Sequence, residues 1–382
     1  MDSAPIDVAE MLAALKAQRN YTLDLYADLP DALWMPLAVP YATNINPPLW
    51  ELGHIAWFQE YFSLRHSSVS EGSRISASCR TFSDELFNSN TVAHRDRWTN
   101  NYPSRDVTMD YMQCVLERLC EVIELEGAGA LHNRHVQLVL AHEDMHQEAL
   151  AMTLAALALP IPDFVPQPRE NFADAHDIFF SGGSIMLGQN DARSFYFDNE
   201  YPPLLTGVKP FSIASQPVTA AQFAAFRASA EYQNANCWSA AGNVWRTAAS
   251  AQTKLQSKLE PKPSSNVFAA MHVNFFEAEA YCLAANRRLP TEVEWEFAAT
   301  HSSEFWASVG DVWEWTASPL TPYPGFTRGV YAEYSEPWFH SHQVLKGASF
   351  ATHARMKYPQ YRNFYTPDRA DMFCGFRTCA IV

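Results

Sequence analysis

Between residues 136 and 159 the sequence runs VQLVLAHEDMHQEALAMTLAALAL, without a glycine or a proline. Alanine, leucine, glutamate and glutamine lose little freedom in a helix, and nothing here interrupts the backbone ladder, so the stretch predicts one long helix. On a helix, positions i and i+4 share a face, which stacks His142 and His146 one turn apart. Two imidazoles so placed can hold one transition metal, the geometry that makes HExxH a zinc motif. Here the spacing is HxxxH, with Glu143 directly after the first histidine. Taken alone, such a pair also fits surface or capping histidines.

At 382 residues the chain is long for a single core, so two domains are expected. A formal charge of −15 argues against nucleic acid or an anionic membrane surface as a partner, since both select basic patches. No apolar run reaches the length of a membrane span, and the opening MDSAPIDVAEM lacks the charged-then-apolar pattern of a signal sequence. Seven scattered cysteines without a CxxC lead us to expect reduced thiols and a cytoplasmic protein.

Residues 1–160 read as a helical bundle. Met11, Leu12, Leu15, Tyr21, Leu25 and Tyr26 recur at helical intervals over residues 6–28. A second helix is expected to start with Asn46 as N-cap and Pro47 at its first position, and it places His54 in LWELGHIAWFQEYFSLR. A polar loop over 66–105 ends in VAHRDRW. A third helix over 107–126 buries Met112, Val115, Leu116, Leu119, Val122 and Ile123. The HxxxH helix is the fourth, and metal sites in four-helix bundles are built from inward side chains on different helices. His54 lies among Leu52, Ile55, Trp57 and Phe58, facing the core, so it is either a satisfied core residue or a third ligand beside His142 and His146. Neutral imidazoles suit iron, zinc, copper or nickel, so ligand type leaves the metal open.

Near residue 160 the composition changes. LPIPDFVPQPRE reads as an extended linker, assigned to 161–180. Over 181–382 short apolar runs alternate with glycine, proline and asparagine turns (GGSIMLG, SFYFDNEYP, PFSIASQPVT, VLKGASF, GFRTCAIV). Only AAQFAAFRASA, VNFFEAEAYCLAANR and TEVEWEFAAT look helical. The whole is therefore expected to be an α+β protein of two domains, a helical bundle and an irregular mixed domain.

GGSIMLG, FDNEYP, QPVTAAQFAAF, RRLPTEVEWEFAA, GDVWEWTAS, VLKGASF and the closing GFR together resemble the formylglycine-generating-enzyme fold, a variant of the C-type lectin fold. ELGHIAWFQE and the HxxxH helix resemble the DinB-like four-helix bundles. The two in this order resemble the ergothioneine-type sulfoxide synthases, non-haem iron enzymes that use dioxygen to join sulfur to imidazole C2 of hercynine. That resemblance implies Fe(II) as cofactor, with His54, His142 and His146 as its ligands. It does not imply the copper centre of formylglycine-generating enzymes: Thr352 and Lys357 stand about where that centre's two thiols would be, and Cys374 and Cys379 flank GFR elsewhere. The second half is then expected to supply a pocket wall.

The resemblance also implies substrate contacts. Where the sulfoxide synthases carry an RNWD-type sequence, this chain has Arg362, Asn363, Phe364 and Tyr365, so the carboxylate that would hold an amino-acid thiol donor is replaced by a phenol. Met145 stands where the family pattern has glutamine. HEDMH, NPPLWELGHIAWFQE and VAHRDRW are most similar to the selenoneine synthases, which join a selenosugar to the same betaine. The expected substrates are thus hercynine, dioxygen and a selenosugar, with γ-glutamylcysteine or cysteine as the alternative donor. Asn363 and Phe364, with Trp315, are candidates for the betaine, whose trimethylammonium favours an aromatic face. Tyr365, Arg369, Met145 and Arg97 are candidates for the donor side. Tyr323, in PYPGF, matches the stretch that carries the family's active-site tyrosine, a hydrogen donor in the oxygen chemistry. Asp198 and Glu200 are expected to hold turns. A bundle that transfers a thiol on zinc or nickel, or a lectin-like binding protein without turnover, would be the other classes.

Overall fold

The computed structural model describes residues 7–65, 78–127, 130–170, 175–189, 195–252 and 268–381. The chain divides into two compact units, Met1–Pro162 and Asp163–Val382.

The first unit is built on four long helices, α1 (Val8–Leu25), α2 (Pro48–Gln59), α4 (Arg105–Glu126) and α5 (Ala130–Ala156), with a short α3 (Ser83–Phe87) between the second and third of these. Each boundary has a local cause. Asp7 caps α1 by accepting from Ala9 N, and Ser104 caps α4 by accepting from Val107 N. Gly127, at φ +72°, ends α4 in a conformation that side chains disfavour. In α2 the expected start moves by one residue: Pro47 is the cap and Pro48 opens the helix. Asn46 instead accepts from Arg97 Nη1 at 2.8 Å. Part of the segment expected as a loop is ordered, with α3 and a 3₁₀ turn over His94–Trp98, while residues 66–77 lie outside the described residues. Directly after α2, Glu60–Arg65 is wound as a π-helix. No described helix is long and apolar enough to cross a membrane.

The second unit opens with β1 (Asp177–Phe180), β2 (Gly183–Leu187), β3 (Leu204–Val208) and β4 (Phe211–Ala214). Helices α6 (Ala220–Ala228), α7 (Ala230–Gln233), α8 (Ala240–Gln252) and α9 (Phe275–Ala284) follow. Then come β5 (Arg287–Arg288), α10 (Glu292–His301), α11 (Ser303–Ala307), β6 (Trp313–Pro319), β7 (Gln343–Gly347), β8 (Asn363–Tyr365), β9 (Cys374–Gly375) and β10 (Cys379–Ala380). The strands form sheets ordered β1-β4-β10-β5 and β8-β7-β6-β9, with a separate β2–β3 pair. Trp295, Phe297, Phe305, Phe211 and Ile213 fill the core that α10 and α11 share with the first sheet.

Two expectations for this half need correction. The stretch assigned as a linker, 161–180, belongs largely to the second unit. Arg169 pairs with Asp311 and donates to the Ser308 carbonyl, and residues 177–180 are β1, paired with β4. Prolines suggested a spacer, but the arginine that follows them is tied down. Helix α8 was not expected, while the FDNE segment is a 3₁₀ turn, in line with the turn roles expected of Asp198 and Glu200.

Candidate metal centre

Helix α2 presents His54, and α5 presents His142 and His146. One ligand nitrogen from each lies within 4.8 Å of the other two. Ring centroids are 5.1 Å apart for His54 and His142, 5.0 Å for His54 and His146, and 4.5 Å for His142 and His146. Among the described residues this is the one cluster of metal-ligating side chains so arranged.

The outward nitrogens are engaged. His54 Nδ1 lies 2.8 Å from the Phe87 carbonyl, and His146 Nδ1 lies 2.8 Å from Glu51 Oε1. A carbonyl can only accept and a carboxylate accepts when ionised, so both Nδ1 atoms donate and Nε2 is the nitrogen each ring has left for a metal. His142 stacks face to face on Phe58, centroids 3.4 Å apart. Burial, reinforced by the neighbouring His146 ring, pushes the His54 and His142 imidazoles well below their usual pKa, so both are neutral at pH 7. Three converging imidazoles from two helices fit a divalent transition metal.

Sequence pattern explains how the ligands are held. Gly53 precedes His54, and a Cβ there would fall 2.1 Å from the Phe87 ring. Only glycine lets α3 press this close, which delivers the Phe87 carbonyl to His54. On its other face His54 lies parallel to Trp50, centroids 4.8 Å apart, and the Arg97 guanidinium sits 3.8 Å over Trp50. Arg97 therefore braces the indole behind a ligand.

HEDMH also satisfies the HExxH pattern letter for letter, in which the glutamate is a general base. The structure excludes that role for Glu143. It is 1 % exposed, takes Arg19 Nε at 3.0 Å and Nη2 at 3.1 Å, and accepts from Thr22 Oγ1 at 2.7 Å. Met145, half-buried, occupies the α5 position just before His146.

In the second unit, Asn363, Phe364 and Tyr365 form β8, at the edge of its sheet, all half-buried. Asn363 Oδ1 accepts from Phe364 N at 2.8 Å, and Phe364 meets Tyr334 and His342 edge-on. Arg369 lies 4.7 Å over the Tyr365 ring and pairs with Asp371 through Nε at 2.9 Å and Nη2 at 2.5 Å. Tyr323 is 5 % exposed, its hydroxyl has no hydrogen-bond partner among the described residues, and Arg362 covers its ring at 4.2 Å. Burial, then the Glu292 charge, pushes that phenol well above its usual pKa, so it keeps its proton. Trp315 is corrected: it is 0 % exposed and its indole N–H is committed to the Val273 carbonyl at 2.7 Å, so it is a core residue rather than a substrate contact. Asp198 holds a turn, accepting from Gly329 N and Ser335 Oγ, and Glu200 accepts from Tyr358.

Sequence reasoning missed Glu51, Trp50, Phe58 and the Phe87 carbonyl. Glu51 carried a signal, a lone carboxylate three residues before His54 in the apolar run LWELGHIAWF. The Phe87 carbonyl carried none, because a backbone acceptor is invisible to residue type.

The domain family described as sulfatase-modifying factor enzyme 1-like matches residues 162–308 and 304–381. The chain belongs to this family. Its landmark motifs pair with one another in the structure: Arg377 of the closing GFR binds Glu314 of VWEWT, and Glu296 of TEVEWE binds Lys346 of VLKGAS. The chain is also 28% identical to the hercynine oxygenase of Mycolicibacterium thermoresistibile over 97% of this chain and 94% of that protein. Identity is again 28% to that of Mycobacterium tuberculosis, over 98% and 99%. The formylglycine-generating enzyme of Streptomyces coelicolor is 25% identical over 59% of this chain and 94% of its own length. The similarity to the hercynine oxygenases extends through the helical unit, whereas the formylglycine-generating relative covers a part of the chain.

Proposed function

We propose that this protein is a non-haem iron, dioxygen-dependent enzyme that couples a chalcogen donor to imidazole C2 of hercynine, and that its donor is a selenosugar. The observation that carries the reading is the convergence of His54, His142 and His146, two of them with Nδ1 fixed so that Nε2 is presented. Near-full-length similarity to hercynine oxygenases supports the betaine as substrate. Bound ferrous iron would supply a site for dioxygen and for a selenolate or thiolate.

The chain's own residues have separate tasks in this reading. His54, His142 and His146 would hold the metal. Asn363 and Phe364 receive the betaine, the ring offering a face to the trimethylammonium. Tyr365 brings no negative charge, which suits a sugar donor better than an amino acid whose ammonium would need a carboxylate. Arg369, already paired with Asp371, adds no net charge at that end. Tyr323, protonated and without a hydrogen-bond partner, is the hydrogen donor.

The test is an anaerobic, iron-reconstituted assay in which hercynine is supplied with a selenosugar, γ-glutamylcysteine or cysteine before air is admitted. A selenium-coupled product identified by mass is expected. A product with γ-glutamylcysteine alone would replace the donor and leave the metal centre standing. Zinc or nickel supporting turnover without oxygen uptake would overturn the oxidative reading.

A further inference from the structure

Several carboxylates are buried in the helical unit, and they differ in how they are compensated. Glu143 is matched by Arg19 and Thr22. Asp144 takes the Gln18 amide, and Glu60 takes Tyr111, Ser78 and the Cys79 backbone. Glu51 stands apart. It is 1 % exposed, its Oε1 meets His146 Nδ1 at 2.8 Å, and its Oε2 is buried with no hydrogen-bond partner among the described residues. Burying a carboxylate oxygen without a hydrogen-bond partner is unfavourable, and Oε2 is left in that state among the described residues. Its desolvation is therefore left unbalanced by the fold itself.

We propose that Glu51 is the positioning residue for the ligand His146, placed to offset the charge of a cation bound at His146 Nε2. The idea rests on the metal reading above. Three residues before His54 on α2, Glu51 reaches across to α5, so one helix both contributes a ligand and orients a ligand of its neighbour. The Nδ1–H to Oε1 bond fixes the tautomer and the ring plane, and the anion makes the imidazole a stronger donor to the metal. Glu51 is compensated when metal arrives.

The test is an anaerobic Co(II) titration of the full chain, read by the visible d–d bands, with thermal unfolding of the metal-free proteins in parallel. Wild type is expected to bind one equivalent. Glu51→Gln keeps an acceptor for His146 but loses the charge, and should bind roughly tenfold more weakly; Glu51→Leu loses both, and should bind roughly a hundredfold more weakly. Both metal-free variants should unfold at or above the wild-type temperature, because a buried carboxylate with one unpartnered oxygen has been removed. In a His146→Gln background, Glu51→Gln should change the residual affinity no further. Unchanged Co(II) affinity in both variants, an equal loss in the His146→Gln background, or lower metal-free stability would each overturn the assignment while leaving the metal reading intact. A wild-type chain that binds no Co(II) would overturn both.

Discussion

Helix α5 carries two polar faces within six residues, and they are finished in opposite ways. Toward α1, Glu143, Asp144 and Gln147 are tied into the fold: Arg19 grips Glu143, Gln59 and the Met112 carbonyl, while Gln18 bonds Asp144 and Thr22 bonds Glu143 and Gln147. One arginine from α1 thereby ties to α2, α4 and α5. Toward α2, His142 and His146 converge with His54, and the hydrogen bonds to His54 and His146 run through Nδ1 and orient those two rings. The difference teaches how to read a buried polar group. A network whose side chains hold one another across helices serves the fold, and one whose rings converge is completed by something else.

The sharpest way to break the comparison is to exchange the fates of the two faces. His142→Gln is expected to abolish metal binding and turnover while the metal-free chain still unfolds cooperatively, as checked by metal analysis and urea melts. Arg19→Met should do the reverse. Removing one partner of a buried pair strands Glu143, and a loss of about 3–5 kcal/mol in urea unfolding is expected, with metal affinity of the folded fraction near wild type. Adding Glu143→Leu to Arg19→Met should recover most of that loss.

Smaller effects sharpen the same contrast. Gly53→Ala forces the Phe87 ring away and with it the carbonyl that orients His54. It should lose about 1–3 kcal/mol through overpacking and roughly tenfold in Co(II) affinity. A structural variant alone would give only the first. Glu200, in the second unit, is fully buried and its pKa is raised to about 8 by burial, although the Tyr358 hydroxyl donates to its carboxylate. A carboxyl raised in the folded state favours folding below its unfolded value, and that contribution is lost as pH rises through about 8. Glu200→Gln should therefore flatten the fall in thermal stability between pH 5 and 8 and gain on the order of 1 kcal/mol at pH 8.

Much of this was legible in the sequence. An unbroken run with the right helix formers gave α5, the i+4 spacing put His142 and His146 together, and an apolar setting pointed His54 inward. The later motifs pointed to the second unit because their charged letters are partners: Glu292 with Arg362, Glu296 with Lys346, Glu314 with Arg377. What was missed has physical causes. Trp315 was taken for a ligand-facing aromatic because residue type does not reveal that an indole N–H is already committed. The linker misled because prolines hide the anchoring power of one arginine. Glu51 and Gly53 act across to α5 and α3, through contacts that no linear spacing encodes.

The central claim is that imidazoles from two bundle helices bind one ferrous ion. Iron-edge X-ray absorption on the anaerobically loaded protein tests it most directly. One iron per chain in a shell containing three imidazole nitrogens, reduced to two by His54→Gln, is the predicted result. A full complement of iron in a shell unchanged by His54→Gln would contradict it.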